Sequence, residues 1–169
     1  MSDPEVWLRG PLRGYAPLLQ PVAHALQQAR EDVERLGRTV PAEDVWQKPG
    51  GAASIGFHVA HLAGALDRLL TYARGEMLSP TQIQALRAED DLERMARPFP
   101  EVVAQTLAAI DRGLAQLRET PDETLLDARQ VGRAGLPSTV IGLLVHVAEH
   151  TTRHVGQAIT TAAILRGRR

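Results

Sequence analysis

The chain has 169 residues, enough to bury a sizeable core, and its apolar share of 44% includes only 4% aromatics, which points to an aliphatic, helical interior rather than an all-β sandwich. Nineteen basic against twenty acidic residues leave a formal charge of −1, so there is no electrostatic footprint for nucleic acid. The absence of cysteine excludes disulfides, thiolate nucleophiles and cysteine-type zinc sites, so any metal must rely on histidine and carboxylate. No apolar N-terminal signal is visible, and no apolar run reaches the roughly 20 residues a membrane span needs. A soluble, cytoplasmic protein made of one domain, residues 1–169, is the expectation.

Four long helical patterns follow in chain order. The first runs from Leu18 to Arg38, with Pro21 confined to its opening turn and "TVP" ending it. The second starts at Ser54, read as its N-cap, and repeats apolar residues at Ile55, Val59, Leu62, Leu66 and Leu69 before Arg74 and Gly75 close it. A third begins near Pro100 and places Val103, Leu107, Ile110, Leu114 and Leu117 on one stripe until "ETPDE" breaks it. The fourth follows "LPS", with Ser138 as its cap, and extends to Leu165, where "RGRR" supplies basic residues suited to a helix C-terminus. These spacings are those of bundle-packing helices.

The connections exceed the about 2–8 residues usual between bundle neighbours. The segment Glu76 to Pro98 contains "SPTQIQALRAEDD", expected as a short extra helix, and is long enough to cross the bundle so that helices two and three run parallel. Such loops would wall a pocket at one bundle end. Trp46, in "EDVWQKPGG", either covers that end or packs as an ordinary anchor.

Three of the six histidines, His146, His150 and His154, stand four residues apart. Helical residues so spaced lie about 5–6 Å apart on one face. His150 and His154 continue the stripe Leu143, Val147, His150, His154, Gln157 and should therefore face inward. A buried polar group without a partner costs about 1–3 kcal/mol, so such a cluster needs a shared cation or a hydrogen-bond network. The alternatives without metal are a solvated face, or core histidines bonded to carbonyls. Helix two adds His58 and His61 in "HVAHLAG", which offers a third nitrogen from a facing helix. Asp67, Glu149 and Arg153 could orient ligands or bind substrate, and His24 reads as a surface residue.

The stretches "WQKPGGAASIGFHVAHLAG" (Trp46 to Gly64) and "STVIGLLVHVAEHTTRHVGQ" (Ser138 to Gln157), in that order, resemble the DinB-like, or DinB/YfiT-like, superfamily. The resemblance implies an all-α four-helix bundle with a long crossover between helices two and three, often a homodimer. It also implies a divalent metal ion held by one histidine of helix two and a His-x3-His pair of helix four. Carried over position by position, the metal ligands are His61, His150 and His154. His58 and His146 are then extra, His58 either supporting His61 or replacing it, and Val155 stands where a common variant of the motif has arginine.

Neutral imidazoles suit zinc, nickel, copper or iron, with zinc or nickel the first expectation. Three ligands leave a coordination place open, the pattern of catalytic rather than structural zinc. The expected activity is metal-dependent chemistry on a small-molecule substrate, either S-transfer from a low-molecular-weight thiol or hydrolysis. Because the chain lacks cysteine, such a thiol would arrive with the substrate. The rival expectation is a non-catalytic, stress-related bundle that holds a metal or ligand. Since only neutral imidazole coordinates, metal affinity should fall as pH drops through about 6.5.

Overall fold

Aliphatic residues recurring every three or four positions give each long helix one buried stripe, and in the computed structural model, which describes residues 4–91 and 96–167, these stripes meet in a four-helix bundle. Its helices are α1 (Gln20–Thr39), α2 (Ile55–Ala73), the short α3 (Pro80–Ala88), α4 (Phe99–Glu119) and α5 (Val140–Arg166). Leu26 and Val33 of α1, Leu62 of α2, Ile110 and Leu117 of α4, and Leu144 and Val147 of α5 are completely buried, so the core is aliphatic as its composition implies. Among the described residues no helix is long and apolar enough to cross a membrane.

Each of α1 and α2 packs against both α4 and α5, which puts α1 diagonal to α2 and α4 diagonal to α5. Thr106 Oγ1 donates to the Val59 carbonyl at 2.8 Å and Gln116 Nε2 to the Leu70 carbonyl at 3.0 Å, so residue numbers rise together along α2 and α4. These two helices are therefore parallel, and the crossover expected between helices two and three is present. Arg30 Nε bonds Asp111 at 2.8 Å while Gly37 lies against Val103, so α1 runs opposite to α4. The pairings of α2 with α5 likewise run in opposite directions.

Helix α2 begins as read: Ser54 Oγ accepts from the Phe57 N–H at 3.1 Å. Helix α5 does not. Its cap is Thr139, whose Oγ1 accepts from Gly142 N at 3.1 Å, and Ser138 lies instead in a two-stranded hairpin, β1 (Ala128–Val131) with β2 (Leu136–Thr139), opposite Arg129. The strand holds Ser138 extended, so the chain enters the helix one residue later. Arg129 fastens this hairpin to the end of α2 by donating from Nε to the Ala73 carbonyl at 2.9 Å, a cation placed at the negative end of the helix. Arg168 and Arg169, read as part of the basic helix end, lie outside the described residues, whereas Arg166 occupies the last turn.

The crossover contains the expected extra helix. Ser79 and Gln82 form a reciprocal capping box at the start of α3, and Gln82 Nε2 also donates to Asp67 Oδ2 at 2.7 Å and Thr71 Oγ1 at 2.8 Å on α2. No residue of α3 is buried. Farther along, Trp46 Nε1 donates to the Arg97 carbonyl at 3.2 Å, and the indole rests on Gly56, where a Cβ would stand 2.8 Å from its ring carbons. Trp46 thus clasps the chain entering α4 to the first turn of α2.

Candidate metal centre

Two helices running in opposite directions bring their histidines together in reverse order. His61 of α2 faces His150 of α5, and His58, one turn earlier on α2, faces His154, one turn later on α5. The ring centroids of His61, His150 and His154 are separated by 5.1, 4.6 and 4.5 Å. One nitrogen from each of these three lies within 4.8 Å of the others, so the group could hold a metal ion. His61 Nε2 and His150 Nε2 are 3.4 Å apart, long for a hydrogen bond. Two nitrogens bound at about 2.0–2.1 Å to one tetrahedral ion stand about 3.3–3.4 Å apart, so the donor set and its spacing fit a cation between them.

The outer nitrogens have partners of their own. His61 Nδ1 donates to Glu89 Oε2 at 2.8 Å, Glu89 being the first residue after α3. Arg68 of α2 grips the same carboxylate with both terminal nitrogens, one on each oxygen. Burial alone would push the Glu89 carboxyl up, but the hydrogen bonds from His61 and Arg68 outweigh it and hold the group below the usual carboxylate range. Gly64 makes this approach possible, since a Cβ there would collide with Glu89 Oε1. Phe57 stacks on His61 with 8° between ring planes, which fixes the imidazole's tilt. On the other side, His58, only 6% exposed, places Nδ1 at 3.1 Å from His154 Nδ1. His58 therefore supports His154 from behind.

Burial pushes His150 and His154 down to about 4, and the neighbouring charges of His61, His146, His58 and Arg153 add to the effect. Both rings are neutral, with lone pairs available, through the whole physiological range. The fall in affinity below pH 6.5 expected from ordinary imidazole values therefore moves to lower pH for these two rings.

The remaining candidates are not members of the converging triad. His146, next to His150 at 5.7 Å between centroids, is exposed and bonds Glu149 Oε2 at 3.0 Å, and Arg153 pairs with the other Glu149 oxygen. Asp67 anchors α3 through Gln82 rather than orienting a histidine. His24 is half-buried rather than a surface residue, its Nε2 at 3.1 Å from the Gly10 carbonyl. The loop after α1 does wall a pocket at the bundle end, a 360 Å³ cavity lined by Val40, Pro41 and Asp44 together with Leu36, Ile55 and Ala162, but no histidine is among its lining residues. Glu89 and Arg68 escaped the sequence reading because a carboxylate in an acidic run and an arginine on a helix look solvated. Arg68 lies two turns after His61 on α2, and only the path of the crossover brings Glu89 to both.

The family model of the DinB superfamily matches residues 25–158, which takes in most of α1, all of α2 through α4, and the histidine-bearing part of α5. The chain belongs to the DinB superfamily. No curated protein matches it. Within this DinB bundle, the matched span includes the three converging histidines as well as Glu89, Arg68 and His58.

Proposed function

We propose that His61, His150 and His154 bind one divalent metal ion, zinc or nickel, and that the protein is a metal-dependent enzyme acting on a small molecule, by thiol S-transfer or by hydrolysis. The observation behind this reading is the meeting of three imidazole nitrogens from two separate helices within 4.8 Å of one another. When bound, such an ion supplies Lewis acidity, which lowers the pKa of a water or of a low-molecular-weight thiol brought by the substrate.

The chain's own residues do the rest. His150 and His154 stay unprotonated because they are partly buried, while Glu89 and Phe57 fix the orientation of His61. With the His154 Nδ1–H donating to His58 Nδ1, the lone pair of His154 sits on Nε2 and is available for coordination. On the exposed flank, Arg153 and Glu149 border the approach to His150 and could meet a polar substrate. The reading extends to a cytoplasmic homodimer. What supports the homodimer is a 590 Å³ groove between α1 and α5 that is lined by the exposed Trp7, with Leu8 and Leu18 also exposed near the start of the chain.

The test starts from protein purified without a histidine tag and its metal content by elemental analysis. Stoichiometric zinc or nickel in the wild type, lost in His150→Ala, is the expected result; a metal-free wild type that takes up neither ion refutes the site. Metal-loaded protein is then offered thiols with reactive electrophiles, and esters or amides without thiol. Adducts assign S-transfer, and cleavage without thiol assigns hydrolysis. No turnover in either assay, with a large drop in melting temperature on chelation, assigns a metal-holding bundle without catalysis. Light scattering measures the dimer.

A further inference from the structure

The crossover is attached to the bundle in an unusual way. Helix α3 buries none of its residues, so hydrophobic burial contributes little to holding it on α2. Its attachments are polar and lie at its two ends: Gln82 on Asp67 and Thr71, and Glu89 on Arg68 and His61. The second of these lands on a histidine of the triad. An ionised carboxylate only accepts hydrogen bonds, so the proton of neutral His61 sits on Nδ1 and the lone pair sits on Nε2, the atom that faces His150 at 3.4 Å. One contact therefore performs two tasks: it docks the end of α3, and it presents the coordinating tautomer of His61.

We infer that Glu89 is a positioning residue for the metal site and that metal occupancy of the triad and docking of the crossover, residues 79–91, are thermodynamically coupled. The inference rests on the metal-binding reading above. A cation on Nε2 makes the Nδ1–H a stronger donor, so it tightens the bond to Glu89; by reciprocity, whatever holds Glu89 in place raises affinity for the cation. Arg68 keeps the carboxylate ionised and aimed, and Gly64 leaves it room to sit against α2. Binding would thus be felt along a segment that contains none of the three ligands.

Zinc and cobalt(II) titrations, with amide hydrogen exchange read by mass spectrometry, test this on the full chain. Glu89→Ala is expected to bind either ion about 10–100-fold more weakly than wild type, the usual loss when the partner of a ligating histidine is removed. Glu89→Gln, which keeps an oxygen able to accept from Nδ1, should recover part of that loss. In the wild type, zinc should slow exchange across residues 79–91, and in Glu89→Ala that slowing should vanish. Wild-type affinity in Glu89→Ala, no recovery in Glu89→Gln, or exchange over 79–91 unchanged by zinc in a wild type that binds it would each overturn the coupling and leave the metal site standing. A wild type that binds neither ion overturns both.

Discussion

Among the described residues, Thr151 carries a plain cost in the core. It is 1% exposed, and its Oγ1 has no hydrogen-bond partner among the described residues, although its neighbours on either side, His150 and Thr152, face elsewhere. Leaving such a hydroxyl unpaired costs about 1–3 kcal/mol, whereas valine has the same shape without the polar atom. Thr151→Val should therefore stabilise the protein by about 1 kcal/mol, a rise of about 2–4 °C in melting temperature for a chain of this size, measured by calorimetry. At this scale the sequence was informative where chemistry is local. The four-residue spacing of His150 and His154 put two imidazoles on one face and "HVAHLAG" offered His58 or His61 as a third, while the family resemblance singled out His61, which lies in the converging group. His58 had two readings, as a support for His61 or as its replacement, and its ring bonds His154 instead, a partner that the spacing within α2 alone could not indicate. Glu89 had no local signal at all: nothing in "RAEDD" distinguishes the carboxylate that His61 uses from its acidic neighbours.

Elements divide in the same way. The long helices were legible because each buried stripe repeats over several turns, and Ser54 and Pro21 mark their starts by side-chain chemistry that needs no partner helix. The hairpin was not legible. Its strands have four residues each, β1 alternates only between exposed and half-buried positions and β2 does not alternate, and the apolar residues they contain do not outweigh the neighbouring helical pattern. What holds the hairpin is tertiary, the Arg129 contact with the end of α2. Arg129→Ala should leave the bundle folded while amide exchange over residues 128–139 rises several-fold, because that contact is local to the hairpin. Unchanged exchange there would mean that strand pairing alone suffices to hold it.

For the whole molecule, the arrangement of helices decides how the site responds to acid. The triad spans α2 and α5, which are remote in sequence and meet only in the folded state, so the depressed values of His150 and His154 belong to the fold and not to the chain. Unfolded, both rings take up protons near the ordinary 6.5; folded and without metal they remain neutral down to about 4. Between these values the unfolded chain binds more protons, so acid favours unfolding. The metal-free protein should lose thermal stability progressively from about pH 6.5 to about pH 4, with this contribution levelling off below. Melting curves recorded in chelator across that range check it, and His150→Ala should flatten the slope.

Sparse aromatic content gives one more property to this fold. Only two indoles are present, and they occupy opposite surroundings: Trp7 is 62% exposed, while Trp46 lies on Gly56 with its N–H held by the backbone at Arg97. The chain therefore contains a built-in optical reporter. With Trp7 replaced by phenylalanine, the remaining emission would come from a fluorophore wedged where the long connection rejoins the bundle, and its colour would register whether that junction is shut.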